Sequence, residues 1–262
     1  MKLAISGKGG VGKTTLAAAL ARLWADEGQA VIAIDADLDS NLASALGLPD
    51  TESLTPIAEM KDLIAERTDA GPQGYGKLFK LNPTVNDIPE KYSTTHRGVR
   101  LMVLGVPKRG GSGCACPENV FLRTLLSHLV LRRDETLIVD MEAGVEHLGR
   151  ASCAAIDALV VVVEPGRRSA QTATTIRRMA AEIGIRRTFV VANKVRSPSD
   201  LEALRSSLPP DAPLLGAISY DERLVNADLE GRSVDEAGGR LMDEVKAIRD
   251  ELLGQLREGK SR

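Results

Sequence analysis

Residues 7–15 read Gly-Lys-Gly-Gly-Val-Gly-Lys-Thr-Thr and follow directly on a short apolar run. A phosphate-binding loop has the pattern glycine, any four residues, glycine, lysine and then serine or threonine. Four residues of this chain fill that pattern without a gap, namely Gly7, Gly12, Lys13 and Thr14. Because glycines let the backbone adopt positive φ, successive N–H groups can turn inward toward phosphate oxygens. The order strand, loop, helix therefore predicts a site for a nucleoside triphosphate.

The loop also predicts a role for its individual residues. Lys13 is expected to reach the β- and γ-phosphates, and the Thr14 hydroxyl is expected to hold Mg²⁺. The helix that starts near Lys13 directs its positive end at the same anion. The loop residues expected to bind the nucleotide are Gly9, Gly10, Val11, Gly12, Lys13, Thr14 and Thr15.

Length and composition narrow the class of protein further. At 262 residues the chain is long enough for a large buried core, and we expect a single domain over residues 1–262. The net charge of −2 and the 3 % aromatic content argue against nucleic acid or an anionic membrane as a partner. The first strand leaves no room for a signal peptide, and the longest apolar run, at 158–163, is too short to span a bilayer. Three cysteines fit a reducing compartment, so a cytoplasmic protein is expected.

Short β-rich runs alternate with helical periodicity along most of the chain. Strands are predicted at residues 2–6, 30–35, 100–104, 136–140, 159–164, 188–193 and 214–218, and helices at residues 14–27, 118–131, 170–183, 198–206 and 236–256. Several strands are apolar on both faces, as in sheets buried between two helix layers. This predicts an α/β fold, doubly wound, with a mostly parallel sheet of about seven to eight strands flanked by helices. The stretch at about 68–98 is rich in Gly, Pro, Asn and Thr and is predicted to be an irregular insertion.

Lys8 narrows the class of phosphate-loop protein, because an ordinary phosphate loop has no need of a lysine at this position. The loop resembles that of the deviant Walker A ATPases, the P-loop family of MinD, ParA, CooC and the nitrogenase iron protein. In that family the lysine that matches Lys8 reaches across a dimer interface to the partner's nucleotide. The resemblance implies ATP or ADP with Mg²⁺ as ligands, a nucleotide-dependent homodimer, and catalytic roles for Lys8 and Lys13. The alternative is that Lys8 is a solvated loop lysine.

Carboxylates follow the second predicted strand, where residues 35–41 read Asp-Ala-Asp-Leu-Asp-Ser-Asn. At the carboxyl end of a strand beside the phosphates, such groups can orient water and bind Mg²⁺ through water. By the same resemblance, Asp37 matches the catalytic aspartate that positions the attacking water, and Asp39 is the second candidate. Asp39 or Ser40 could also cap a short helix near residues 41–46.

Two later strand ends are expected to complete the nucleotide site. Residues 136–140, Thr-Leu-Ile-Val-Asp, form a predicted strand that ends in an acid, which places Asp140 beside the phosphates, and residues 141–147 follow as switch II. By resemblance, Asn193 matches the family's base-binding asparagine, whose amide can pair with adenine. Tyr220 is expected to form another wall of the base pocket.

A second motif, Gly-Cys-Ala-Cys-Pro at residues 113–117, lies between a strand and a helix whose first residue is expected to be Pro117. Cys114 and Cys116 supply half of a tetrahedral thiolate site, so two copies of the chain would supply four ligands for Zn²⁺ or Ni²⁺. The alternatives are two small buried residues or a redox pair, although a disulfide across one residue is strained. Cys153 is expected to be a small core residue.

The cysteine motif and the segment at residues 140–150 together resemble the CooC-type ATPases, which assist nickel insertion into carbon monoxide dehydrogenase. The resemblance implies an ATP-hydrolysing maturation factor whose metal is held between two subunits. Its expected partner is apo carbon monoxide dehydrogenase or a related nickel enzyme. His147 is expected to form hydrogen bonds within switch II, with metal binding as the alternative.

Three other classes of protein compete with this interpretation. A MinD- or ParA-like positioning switch would act on membrane or DNA, but the chain offers little apolar face after Leu256 and its charge is near neutral. An iron–sulfur carrier ATPase usually bears Cys-x-x-Cys near the end of its chain. A small-molecule kinase would not explain Lys8 or the cysteines.

Overall fold

The computed structural model of the chain describes residues 1–70, 79–105, 116–132, 134–142, 153–209 and 212–258. The strands within these residues are β1 Lys2–Gly7, β2 Val31–Ala36, β3 Thr94–His96, β4 Val99–Val103, β5 Thr136–Met141, β6 Ala158–Val163, β7 Thr188–Val195 and β8 Leu214–Ser219. They form one eight-stranded sheet in the order β3-β4-β2-β5-β1-β6-β7-β8. Every described pair of neighbours is parallel except β3 with β4, which is antiparallel. The mostly parallel sheet predicted from the sequence is confirmed.

Helices flank the sheet on both faces. Those of the described residues are α1 Lys13–Asp26, α2 Leu42–Ala45, α3 Lys61–Thr68, α4 Ile88–Lys91, α5 Pro117–Arg132, α6 Arg167–Glu182, α7 Pro198–Ser207, α8 Glu222–Leu229 and α9 Leu241–Glu258. Buried side chains of α1 and α9 pack in one layer, and those of α5 and α6 pack in the other. In the part of the chain that the structure describes, every helix is too short or too polar to cross a bilayer.

Strand β1 lies in the middle of the sheet, and this position explains its apolar sequence. Ile5 is opposite Asp140 of β5 on one side and opposite Val160 of β6 on the other. Leu3 and Ile5 face the layer of α1 and α9, whereas Ala4 faces the layer of α5 and α6. Because side chains of a strand alternate between faces and both faces are covered, a polar residue within β1 would be buried on either side.

The predicted strands and most predicted helices agree with the structure, and the differences lie at a few elements. All seven predicted strands are present with their ends within two residues of the prediction. Four of these strands and helices were not predicted from the sequence: β3, α3, α4 and α8. The last helix begins at Leu241 and not at residue 236, because Gly238 and Gly239 have φ of 74° and 79° and end a short 3₁₀ turn, Val234–Ala237.

The stretch at 68–98 is more ordered than the predicted irregular insertion, although residues 71–78 lie outside the described part. It contains α4 and β3, and Ile88 at the start of α4 is buried in the core. Arg67 of α3 holds Asp87 with two hydrogen bonds, Nη1 to Oδ1 at 3.0 Å and Nη2 to Oδ2 at 2.8 Å. These bonds keep the pKa of Asp87 well below its usual range. The segment that precedes α4 is therefore fixed to α3.

Candidate nucleotide site

The loop between β1 and α1 has the backbone of an anion-binding turn. Gly10 and Gly12 have φ of 76° and 93°, which a residue with a Cβ adopts only with strain. Space is also restricted at Gly12, because a Cβ there would lie 2.0 Å from Nδ2 of Asn193. Gly12 caps α1, and its carbonyl accepts the first bond of that helix, from Leu16 N–H at 3.1 Å. The loop thus directs the N-terminal end of α1 at the space above it.

Lys13 holds its ammonium group beside this loop. Its side chain is only 6 % exposed, and Nζ lies 3.6 Å from Oδ2 of Asp37. Nζ also lies 3.5 Å from the carbonyl oxygen of Lys8, at the start of the loop. Of the two candidate acids, Asp37 is therefore the one that contacts Lys13. Asp39 is exposed, and its backbone N–H donates to Oδ1 of Asp37 at 3.3 Å.

Thr14 and Asp140 meet where α1 passes the end of β5. The Thr14 hydroxyl donates to Oδ2 of Asp140 at 2.6 Å. Asp140 is 1 % exposed, and its Oδ1 has no hydrogen-bond partner among the described residues. Burial raises the pKa of Asp140 to about 7, against the lowering effect of the Thr14 hydrogen bond and with a further increase from the neighbouring Asp35.

The unpartnered oxygen of Asp140 indicates whether the residues of this site suit Mg²⁺. A buried carboxylate oxygen with no donor is costly unless a cation compensates it. A hydroxyl and a carboxylate are hard oxygen ligands of the type that Mg²⁺ prefers. The donor set of Thr14 and Asp140 therefore fits the ion expected from the sequence.

Asp35, at the end of β2, organises the loop that carries Asp37. It is fully buried, and its Oδ1 accepts the N–H of Asp37 at 3.2 Å while Oδ2 accepts the N–H of Leu42 at 2.9 Å. Burial raises the pKa of Asp35 to about 6, although both backbone hydrogen bonds lower it. The N-cap residue of α2 is Asn41, and Asp35 accepts the first N–H of the helix, so the alternative that Asp39 or Ser40 caps it is wrong. The sequence signal for Asp35 is an acid that ends an otherwise apolar strand.

The predicted base-binding residues line a cavity of about 560 Å³ that begins at the phosphate loop and ends at α8. Asn193 lines it, but its amide is already engaged: Nδ2 donates to the carbonyl of Val11 at 2.8 Å, and Oδ1 accepts the N–H of Lys194 at 2.8 Å. Tyr220 lines the same cavity, with the guanidinium carbon of Arg196 4.1 Å from its ring centroid. The structure thus brings both residues to one cavity with the loop.

The second motif is only partly described. Cys114, His147 and residues 143–150 lie outside the described residues. Cys116 directly precedes Pro117 at the start of α5, as predicted, and it is 4 % exposed. Among the described residues, no group of three or more His, Cys, Asp or Glu side chains is arranged to hold a metal ion. Cys153 is buried, which raises the pKa of its thiol to about 11, so the prediction that it is a core residue is confirmed.

The central parallel strands, the glycine loop and the paired Thr14 and Asp140 define a P-loop nucleotide-binding protein. Residues 2–234 match the model of the CobQ/CobB/MinD/ParA nucleotide binding domain. The chain belongs to this family.

Relatives and solved structures agree with this assignment. The chain is 44 % identical over 255 residues to the carbon monoxide dehydrogenase accessory protein CooC of Rhodospirillum rubrum, covering 97 % of this chain and 96 % of the relative. It is 41 % identical over 237 residues to an uncharacterized ATP-binding protein of Methanocaldococcus jannaschii, covering 90 % and 91 %. The MinC:MinD cell division protein complex of Aquifex aeolicus gives a TM-score of 0.68 at 20 % identity, covering 97 % and 96 %. At that identity, the likeness to the solved structure shows the fold alone.

Proposed function

We propose that the chain is an ATPase that assists nickel insertion into carbon monoxide dehydrogenase or a related nickel enzyme. The observation that carries this proposal is the identity of 44 % to the accessory protein CooC over nearly the whole length of both chains. The site supports it, because the loop, Lys13, Thr14 and Asp140 lie together at one edge of the sheet. Fold likeness to MinD alone gives no reason to prefer a positioning switch.

The loop residues bind the phosphates in this proposal. Backbone N–H groups of the phosphate loop and the N-terminal end of α1 surround the β-phosphate, and Lys13 contacts the β- and γ-oxygens. Thr14 and Asp140 hold Mg²⁺, which neutralises charge on the phosphates when it is bound. Tyr220 and Asn193 flank the base in the cavity of about 560 Å³.

Hydrolysis uses Asp37, Lys13 and Lys8. Lys13 Nζ lies 3.6 Å from the carboxylate of Asp37. Phosphate oxygens compete for the same ammonium, so binding of ATP frees Asp37 to orient the attacking water. Lys8 is exposed at the start of the loop, where it can reach the nucleotide of a second copy. Two lysines then stabilise the charge on the leaving phosphates.

The metal site of the proposal needs two copies of the chain. Cys114 and Cys116 of both subunits supply four thiolates to one Zn²⁺ or Ni²⁺ ion. Since Cys116 is 4 % exposed within one chain, the start of α5 has to open before its thiol can meet a partner subunit. Nucleotide binding that favours the dimer would couple this opening to the state of the phosphates. A cytoplasmic location and the absence of nucleic acid or membrane partners remain predictions.

Light scattering with elemental analysis tests the dimer and the metal together. Wild type, Cys114→Ser/Cys116→Ser and the control Cys153→Ala are compared with Ni²⁺ or Zn²⁺, with and without ADP or a non-hydrolysable ATP analogue. We expect one ion per dimer for wild type and the control, and none for the double variant. A dimer that forms with nucleotide but holds no ion at these cysteines would refute the metal site. It would favour a positioning switch over a maturation factor.

A further inference from the structure

The end of β7 contacts the phosphate loop with two consecutive side chains. Asn193 Nδ2 donates to the carbonyl of Val11 at 2.8 Å, and Lys194 Nζ donates to the carbonyl of Gly10 at 2.5 Å. The two acceptors are themselves consecutive in the loop. Glu164, directly after β6, is also close to this ammonium, with Oε2 at 3.8 Å from Nζ of Lys194.

Lys194 makes this contact from an unfavourable backbone conformation. Its φ is 57°, in the left-handed region that lysine rarely adopts. The pairing of β7 with β8 also shifts register between Ala192 and Val195, at the same place. A strained residue persists only where the surrounding structure holds it, and such residues are concentrated at functional sites.

Holding the two carbonyls fixes the direction of the loop's N–H groups. The peptide unit is planar and trans, so the N–H of one residue points away from the carbonyl of the residue before it. The Gly10 carbonyl accepts the hydrogen bond from Lys194, and the N–H of Val11 therefore points the opposite way. It is directed at the carbonyl of Lys8, with the nitrogen 3.4 Å from the oxygen. In the same way, the Val11 carbonyl accepts the hydrogen bond from Asn193, so the N–H of Gly12 points away from β7. A carbonyl turned the other way would present negative charge to the phosphates.

We propose that Lys194 is a positioning residue of the nucleotide site: it holds the phosphate loop, from the end of β7, in the shape that binds the β-phosphate. The inference rests on the proposed function, since it assumes that the loop binds a nucleotide. Without this contact the loop samples shapes that do not bind. The apparent Kd then rises by the inverse of the fraction of molecules in the binding shape.

The experiment measures ADP affinity by calorimetry and the melting temperature without nucleotide, for four proteins. Lys194→Met removes the ammonium and keeps the length of the side chain, whereas Lys194→Gly also relieves the left-handed backbone. Lys246→Met, at an exposed position of α9, is the matched control. We expect both Lys194 variants to raise the Kd for ADP about 5- to 10-fold, because the bond is charge-assisted but partly exposed.

Stability separates positioning from a merely structural role. Lys194→Gly is expected to melt at the same temperature as wild type or higher, since glycine adopts positive φ without strain. Affinity and stability would then change in opposite directions. An ADP affinity within 2-fold of wild type in both variants would overturn the inference, as would a loss of affinity that follows a loss of stability. A wild-type protein that binds no ADP would refute the proposed function, and this inference with it.

Discussion

At the scale of single residues, burial raises the pKa of two carboxyls of the site, and that of Asp140 is raised further than that of Asp35. The pKa of Asp140 is raised to about 7 because the carboxyl is buried and lies near the charge of Asp35. A carboxyl with a raised pKa holds its proton more strongly in the folded state than in the unfolded state. Its contribution to stability is therefore lost as the pH rises from the unfolded pKa, near 4, through about 7.

Asp140→Asn is expected to remove this cost. Without Mg²⁺ and at about pH 8, the variant should be more stable than wild type by about 1 to 3 kcal/mol, and the difference should vanish toward about pH 4. Urea unfolding in the presence of a chelator, repeated across this pH range, measures the change. The same variant should lose Mg²⁺-dependent nucleotide affinity. A variant that is less stable than wild type at pH 8 would contradict the environment described for Asp140.

A substitution of Lys8 is expected to affect ATP hydrolysis but not nucleotide binding. Its side chain is exposed, whereas Lys13 is buried beside the loop, so only Lys13 is placed to bind the nucleotide of its own chain. Lys8→Ala should leave the Kd for ADP within about 2-fold of wild type but lower the hydrolysis rate about 100-fold or more. Calorimetry and phosphate release measure the two effects. Equal losses in binding and rate would place Lys8 in its own subunit's site.

The residues of the loop follow from the sequence, but two supporting residues do not. Gly12, Lys13 and Thr14 are identified by spacing alone, because a phosphate loop needs those residue types in that order. Asp35 and Lys194 act through contacts that only the fold creates, with α2 and with the loop. No local pattern indicates that an acid at a strand end accepts backbone N–H groups instead of facing a ligand.

At the scale of elements, the buried strands are predictable and the small edge elements are not. The seven parallel strands, β1, β2, β4, β5, β6, β7 and β8, are mostly apolar runs. Strand β3 reads Thr-Thr-His and has three residues, so nothing in its own sequence distinguishes it from a loop. Its pairing depends on the tight turn at Arg97 and Gly98, which both have positive φ. Tertiary contacts, and not the local sequence, therefore determine that these three residues form a strand.

That turn is connected to α1 by a buried charge network. Arg22 of α1 donates to the carbonyl of Arg97, and its Nε lies 3.7 Å from Oδ2 of Asp235. Arg97 donates to the same oxygen of Asp235 at 2.8 Å and to Oε1 of Glu236 at 2.8 Å. The side chain of Arg22 is 5 % exposed, and two acids compensate its charge: Asp26, whose Oδ1 accepts from Nη2 at 2.7 Å, and Asp235 at the longer distance.

Asp235→Asn is expected to lower the free energy of unfolding by about 1 to 2 kcal/mol, since Arg22 and Arg97 both lose this buried carboxylate while Arg22 keeps Asp26. Glu236→Gln is the matched control, because it removes a more exposed carboxylate from the same Arg97 and should cost less than about 1 kcal/mol. Urea unfolding of both variants gives the comparison. Similar values for the two would show that the network contributes little.

At the scale of the whole molecule, the elements that line the nucleotide cavity carry exposed apolar side chains. Helix α8 forms one wall of the cavity and leaves Val225 and Leu229 exposed, Leu229 to 80 %. Leu38, in the loop after β2, is exposed as well. Apolar residues around a site that a second copy is proposed to share are expected to be buried in the dimer.

Leu229→Asp should therefore weaken the nucleotide-dependent dimer about 10-fold or more, which corresponds to the burial of one large apolar side chain. The melting temperature of the monomer should not change, since Leu229 packs little within its own chain. Leu81→Asp, at another exposed leucine away from the cavity, serves as the control. Sedimentation with a non-hydrolysable ATP analogue measures dimer formation. Dimers of equal strength in both variants would place the interface elsewhere.

The measurement that tests the central claim most directly is the activation of a nickel-free carbon monoxide dehydrogenase by Ni²⁺, with ATP and this protein present. Wild type should restore carbon monoxide oxidation, whereas Lys13→Gln should not, because its loop cannot hold the phosphates of ATP. Replacing ATP by a non-hydrolysable analogue should also abolish activation. Equal activation by wild type and Lys13→Gln, or by Ni²⁺ without the protein, would contradict a nucleotide-driven role in nickel insertion.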